Sequence, residues 1–414
     1  MERRDFLRIS AAACASASLA GCARAFNDGR TGLALIGCGR QGRDLTTNFL
    51  GVADPEHVRY VAVCDVDLRR AELARDFILE KYAEQGIAQE ISVYSYPEQL
   101  LRQRNVDACV VAVADHNHTA VALDVVDAGC DLYLEKPITF TIEEGRELVR
   151  RVERKRAVFQ SGTQQRSSLY FRRVCELVRQ GKIGTLERVE IRLPQDHGSA
   201  TFEAMPVPEK LDYERWLGQR KHLPYTEKRV HPQADFSRPG WMQVEEFCHG
   251  MITNWGSHMI DIALWGSGRE FTGPVSVRAK STYEDRGIWN VHTRIEGEFT
   301  YADGLRMELL SLDAGDVRRP GVRFFGSEGW LDVVRGGFEA HDREILRWEP
   351  EPGQEILQVS KNHYEDFLNA VKSRKQPVSS AEVSHRSNTV CLLLAEAARS
   401  GHEIRWDPER ERQV

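Results

Sequence analysis

The 414-residue sequence contains no CxxC pair, no apolar run of 18 residues or more, no internal repeat and no long block of like charge. The missing apolar run excludes a helical membrane span. Fifty-six basic residues stand against 62 acidic ones, interspersed, so the net charge of −6 leaves no nucleic-acid footprint. The one basic stretch, Arg146 to Arg156, carries Leu148, Val149 and Val152 at helical spacing and reads as a solvated helix face. Nine cysteines are scattered. Beyond Cys14 and Cys22, the other seven (Cys38, Cys64, Cys109, Cys130, Cys175, Cys248, Cys391) fall mostly in or beside strand-like runs, which argues for buried thiols and against a disulfide framework. His116-x-His118 lacks a third ligand at useful spacing, so no metal is expected.

What is present begins with Leu33-Ala34-Leu35-Ile36-Gly37-Cys38-Gly39-Arg40-Gln41-Gly42, an apolar strand running into a GxGxxG turn. Gly37 permits the tight turn, Gly39 lets backbone approach a pyrophosphate, and Gly42 lets the next helix pack on the sheet with its amides toward the phosphates. A second strand, Val58 to Cys64, ends in Asp65, an acidic residue at the spacing that grips the ribose hydroxyls of NAD and repels the extra phosphate of NADP. Arg69 and Arg70 lie close enough to keep NADP as the lesser alternative.

Alternation of strand-like and helix-like runs continues through a helix (Leu68 to Tyr82), strands at Ile91–Tyr94 and Asp107–Ala114, a helix (His116 to Asp127) stopped by Gly129, and a strand at Asp131–Leu134. Thr141 is positioned to cap a helix over Ile142 to Lys155. This βαβ pattern predicts a doubly wound parallel sheet over residues 31–160, binding ligands at the carboxyl ends of its strands. Ala114-Asp115-His116-Asn117-His118 and Glu135-Lys136-Pro137 both fall on that edge. The candidate cofactor set is therefore Gly37, Gly39, Arg40, Gln41, Gly42, Asp65, Ala114, His116, His118, Glu135 and Lys136.

From 161 to 414 the pattern changes. After a helix at Leu169–Gln180, strands are predicted at Leu186–Leu193, Val275–Thr282, Val291–Tyr301, Leu305–Leu312, Val322–Phe325 and Trp330–Val334, with turn signals implying an antiparallel meander. This makes the second domain α+β, with a large, mostly antiparallel open sheet. Helices return at Tyr364–Lys372 and Ala381–Arg399. The polar and aromatic insertion 194–248 has the length and composition of an active-site cover, with an oligomerisation loop as the alternative.

At the N-terminus, Arg3-Arg4-Asp5-Phe6-Leu7-Arg8, a short Ala/Ser-rich stretch, and Leu19-Ala20-Gly21-Cys22 follow the order of bacterial twin-arginine lipoprotein signals. Residues 1–22 are expected to be a signal peptide and 23–30 a linker. Cys22 would carry the lipid, the twin-arginine translocase would be a partner, and the protein would sit in the periplasm or at the cell surface.

These motifs, with Gly162-Thr163-Gln164-Gln165-Arg166-Ser167, Asn254-Trp255-Gly256-Ser257-His258-Met259-Ile260-Asp261 and Gly326-Ser327-Glu328-Gly329-Trp330, resemble the Gfo/Idh/MocA oxidoreductases, the group of glucose–fructose oxidoreductase and inositol dehydrogenase, from about residue 31 nearly to the C-terminus. The resemblance implies that Lys136 contacts the reacting hydroxyl, that the Lys136–Pro137 bond is cis, and that His258 is the general base. Many relatives have aspartate four residues before that histidine; here it is Asn254, which orients a hydroxyl but holds no charge. Gln164, Arg166, Trp241, Asn254 and Asp261 are candidate substrate contacts, Asp261 having helix packing as its alternative; His231 and His249 join Trp241 on location alone. Pairing of copies through the open face of the second sheet is also implied.

The expected activity is NAD-dependent interconversion of a hydroxyl and a ketone or lactone on a sugar, glycoside or polyol. Outside the cytoplasm released NADH would not be recycled, so the cofactor is expected to stay bound. Two alternatives stand: an NAD-retaining redox-neutral glycosidase, whose known members lack the lysine of Glu135-Lys136-Pro137, and a non-catalytic sugar-binding lipoprotein.

Overall fold

The structure is a computed structural model that describes residues 29–414 except Pro352 and Glu355; the twin-arginine pattern, Cys22 and residues 23–28 lie outside the described residues. Six parallel strands, β1 (Thr31–Ile36), β2 (Val58–Cys64), β3 (Ser92–Tyr94), β4 (Ala108–Val111), β5 (Asp131–Leu134) and β6 (Phe159–Ser161), form a sheet in the order 3-2-1-4-5-6. That order reverses beside β1, which opens a crevice at the carboxyl ends of β1 and β4. β1 shows why its sequence reads as one apolar run. Leu33 and Leu35 enter the core on one face, and Ala34 and Ile36 enter the core on the other. Thr141 caps the helix Ile142–Lys155 through a reciprocal capping box with Glu144.

β4 ends at Val111, earlier than its apolar pattern suggests. Gly37, at φ +93°, lies so close to Ala112 that a Cβ would stand 2.5 Å from its carbonyl, and the chain leaves the sheet there. The predicted helix from His116 instead opens with a 3₁₀ turn, Asp115–Asn117, before the helix His118–Asp127.

The second sheet has nine strands: β7 (Leu186–Leu193), β8 (Ser276–Thr282), β9 (Arg294–Thr300), β10 (Arg306–Ser311), β11 (Gly321–Gly326), β12 (Gly329–Val334), β13 (Gly337–Ala340), β14 (Ile404–Asp407) and β15 (Arg412–Gln413). It departs from a simple meander at its centre. β8–β9–β10 and β11–β12–β13 are two antiparallel meanders, and β7 joins them, parallel to β10 and antiparallel to β11. Its inner face packs on Leu177, Ile260, Leu264, Val390 and Leu394 of the helices Leu169–Arg179, Gly256–Ser267 and Ala381–Ser400. Ion pairs cross its other face: Arg188–Glu308, 2.6 Å; Lys280–Glu296, 2.9 Å; Arg323–Asp332, 2.7 Å.

The boundary at 160 does not separate two independent bodies. The helix His363–Ser373 returns to the first sheet, where Phe367 packs edge-on against Phe49 and Tyr133. Residues of the insertion, including Leu211, Tyr213, Trp216, Tyr225 and Phe247, form a small core of their own around Ala114.

Candidate active site

Between the first sheet, the insertion and the second sheet lies one cavity of about 1170 Å³. At one end are Gly39, Arg40, Gln41 and Asp65, and at the other Lys136, Asn254, His258, Gln165 and Arg335; Trp241 and Gln164 line it as well. This exceeds the several hundred Å³ of a site for one small ligand.

The first end has the features a dinucleotide needs. A Cβ on Gly39 would meet no protein atom, whereas one on Gly42 would collide with the Gly37 carbonyl at 2.0 Å. The helix Arg40–Val52 starts with no side-chain cap, which leaves its first amides for an anion. Asp65 is held facing the cavity by the backbone N–H groups of Cys38 (2.7 Å) and Asp67 (2.8 Å). Burial raises its pKa from the usual carboxylate value. Arg70, the alternative phosphate ligand, is already engaged: it donates to the carbonyls of Pro232 (2.5 Å) and Asp235 (3.2 Å).

Those carbonyls belong to a segment of the insertion that folds over this end like a clasp. His231 and Gln233 bond to Asp67 (3.0 and 3.2 Å), and Phe236 lies between the guanidiniums of Arg43 and Arg70 (5.1 and 4.8 Å). Burial alone would raise the Asp67 pKa, but the bonds from His231 and Gln233 and the charge of Arg70 hold it below its usual value. His231, Ser237 and Arg238 thereby line the same cavity as Asp65.

At the other end, Lys136 follows β5 across a cis bond to Pro137, and its Nζ donates to Asn254 Oδ1 at 2.7 Å. Asn254 closes the short helix Met251–Asn254, and His258 lies one turn into the next, Gly256–Ser267. The helix is thus interrupted at Trp255, yet both side chains reach the cavity. Glu135 is buried with both oxygens occupied: Oε1 accepts from Gln41 (2.9 Å) and Gln164 (3.0 Å), and Oε2 from the Lys136 N–H (3.2 Å). Asp115 is buried on the cavity wall, and burial, opposed by the charge of Lys136, pushes its carboxyl up to about 7. His258 is 6% exposed; burial, then the charges of Lys136 and Arg335, hold its pKa well below the usual histidine value.

Four candidates belong elsewhere. Arg166 and Asp261 are not cavity residues. They form a buried pair with two bonds (2.6 and 2.8 Å), completed by Ser387 on the carboxylate and Trp265 under the guanidinium. Two opposite buried charges satisfy each other more fully than a neutral sugar would. His116 turns from the cofactor edge into the insertion core, with Nε2 2.8 Å from Trp216 O and the Phe247 ring at 4.8 Å; burial lowers its pKa to about 3. His249 packs on Phe140, outside the main cavity, with Nε2 3.1 Å from the Phe140 carbonyl. His118 lines the cavity wall with Nδ1 2.5 Å from Pro137 O and Nε2 3.1 Å from Val113 O; a neutral ring donates to one of them. His231 stands at the Asp65 end, away from Lys136.

Sequence reasoning passed over Asp115, Gln165 and Arg335. Asp115 stands in the segment placed on the strand edge and was legible as its carboxyl. Arg335 comes from the turn between β12 and β13, and no local signal ties it to His258.

A family model described as an oxidoreductase family with NAD-binding Rossmann fold matches residues 31–163, and the model of that family's C-terminal alpha/beta domain matches residues 195–414. The chain is similar to the myo-inositol 2-dehydrogenase of Thermotoga maritima, 23% identical over 317 residues, 75% of this chain and 81% of that protein. It is also similar to a glycosyl hydrolase family 109 protein of Shewanella amazonensis, 29% identical over 218 residues, 45% of this chain and 44% of that one. Among solved structures, scyllo-inositol dehydrogenase from Lactobacillus casei with bound NAD(H) and scyllo-inositol superposes with a TM-score of 0.62 over 91% of this chain and 99% of that one; at 16% identity this shows a shared fold.

Proposed function

The chain belongs to the Gfo/Idh/MocA oxidoreductase family, and from that membership we propose an exported enzyme that exchanges hydride between a firmly held NAD and a carbinol carbon of a sugar, glycoside or polyol. The observation that carries this reading is convergence: Lys136 from the first sheet and Asn254 and His258 from the second half line one end of a cavity whose other end is Asp65 and the glycine turn. Gly37, Gly39, Gly42, the first amides of the helix Arg40–Val52 and Asp65 would hold the dinucleotide. Bound there, NAD supplies hydride acceptance and return. Lys136, already donating to Asn254, offers a cation where alkoxide charge develops.

Retention of the cofactor is supported by the clasp at His231–Arg238, and a second sugar or carbonyl compound would reset it. Export through the twin-arginine translocase and lipid attachment at Cys22 rest on the order of Arg3-Arg4, Leu19-Ala20-Gly21 and Cys22 in the sequence. Pairing of two copies through the open face of the second sheet belongs to the same reading.

Likeness to family 109 proteins keeps one further reading: a bound NAD that oxidises a glycoside transiently and is restored after cleavage. One experiment separates these. The chain from Ala23 onward is purified, its nucleotide released and identified, and the protein is challenged with monosaccharides, glycosides and inositols while reduced-nicotinamide absorbance is followed. Stoichiometric NAD(H), reduced by one sugar and reoxidised by another, is the expected result. Glycoside cleavage without net reduction selects the other reading, and a protein that takes up no nucleotide even with NAD added sinks both.

A further inference from the structure

Gln165 lies between two groups that together decide how its amide points. Arg335 offers only N–H donors, so the amide oxygen must face it, accepting from Nε and Nη2 at 3.1 Å each. The amide NH₂ then faces His258 and donates to Nδ1 at 2.5 Å. Arg335 is itself fixed, its guanidinium stacked 4.4 Å over the Trp255 ring. A neutral imidazole carries one proton, and Nδ1 is committed as an acceptor. The proton therefore sits on Nε2. Burial first, then the charges of Lys136, Arg335 and His363, disfavour its charged form. A histidine in this state has no free lone pair with which to remove a substrate proton.

Resting on the reading above, we propose that Gln165, oriented by Arg335, holds His258 as the Nε2–H tautomer, so that His258 meets the reacting oxygen as a hydrogen-bond donor and the hydroxyl proton leaves to the Asp115 carboxylate. Asp115 is selected by elimination among the carboxyls of the cavity. Glu135 has both oxygens occupied, and Asp65 is held by two amides at the far end. Glu98 pairs with Arg215 at 2.9 Å, and Asp44 and Asp124 are exposed to solvent at the rim. Asp115 is buried and is faced by the charges of Lys136 and Glu135 and by the Cys248 thiol. The step balances: the O–H electron pair stays on oxygen and becomes the second C=O bond as the carbinol hydride leaves to the oxidised nicotinamide, and Asp115 gains the proton. The Nε2–H bond is never broken. Gln165 and Arg335 are positioning residues; Asp115 and His258 are the catalytic pair with Lys136.

The test uses the chain from Ala23 onward, loaded with NAD and labelled with ¹⁵N-histidine, its His258 signals assigned by comparison with His258→Asn. At neutral pH, Nδ1 should show the far-downfield shift of a bare nitrogen and Nε2 that of a protonated one. Gln165→Glu accepts from Arg335 and cannot donate, so it should reverse the two. A protonated Nδ1 in the parent protein overturns the proposal, as does an unchanged tautomer in Gln165→Glu. In alcohol oxidation, kcat/KM should rise with pH through a limb near 7; Asp115→Asn should abolish that limb and lower kcat/KM about 10²-fold or more. Survival of the limb in Asp115→Asn assigns the base elsewhere and also overturns the proposal. The tautomer is read without any sugar, so failure to find a substrate would strike the functional reading alone.

Discussion

Asp115 sits 5% exposed on the cavity wall with its carboxyl raised to about 7 from an unfolded value of 3.8. Native protein therefore holds this proton where the unfolded chain has lost it. Stability contributed by the protonated carboxyl is complete below about 4, declines as pH rises, and is lost above about 7. Asp115→Asn, which never ionises, should make the nucleotide-free protein more stable at pH 8 by an amount on the order of a few kcal/mol and leave it little changed at pH 4, a difference read from urea unfolding at the two pH values. Arg166 and Asp261 predict the opposite. Asp261→Ala strands a guanidinium that is 2% exposed and should cost about 3–5 kcal/mol in the same experiment. Both residues stand in motifs that invite a substrate role. Sequence shows that a charge is present; whether a partner consumes it depends on a contact spanning 95 positions, which no local pattern carries.

At the scale of elements, the glycine turn, Asp65 and the lysine after β5 were legible because each is fixed by its own strand end. So was the helix Ile142–Lys155, whose cap is written within four residues. The clasp was not. Residues 231–238 have no periodicity, and their conformation comes from Asp67, Arg43 and Arg70, all on helices or turns of the first sheet. The insertion was legible only as a cover. Phe236→Ala removes two cation–π contacts, each worth about 0.5–1 kcal/mol at a partly exposed site. It should speed release of bound NAD about tenfold, measured by trapping released nucleotide after dilution, with the thermal midpoint of the nucleotide-free protein little changed. Unaltered release would show that the clasp does not hold the cofactor.

For the whole molecule, the alternation of strands and helices announced the parallel sheet, and later strand runs announced the second. The parallel pairing of β7 with β10 and the return of Phe367 to the first sheet were not readable, because both are set by what remains to be covered once the sheets exist. The consequence is a cavity walled by both halves. Saturating NAD should accordingly raise a single unfolding transition in calorimetry, by about 2.7 kcal/mol at a hundredfold excess over its dissociation constant. NADP should shift it less, since Arg70 is engaged by the clasp and Asp65 repels a 2′-phosphate. Two separate transitions, with only one shifted, would contradict this coupling.

Under the proposed reading, the clasp also changes what limits the protein's working capacity. A dinucleotide retained in this way would be acquired when the chain folds, and afterwards its abundance in the surroundings would matter little. The number of active molecules would then be fixed at biosynthesis by the fraction of chains that close around a nucleotide, and each lost nucleotide would retire one enzyme. If the protein is exported as proposed, nicotinamide supply in the compartment of synthesis, rather than affinity in the compartment of work, would determine how much sugar a population of these molecules can turn over.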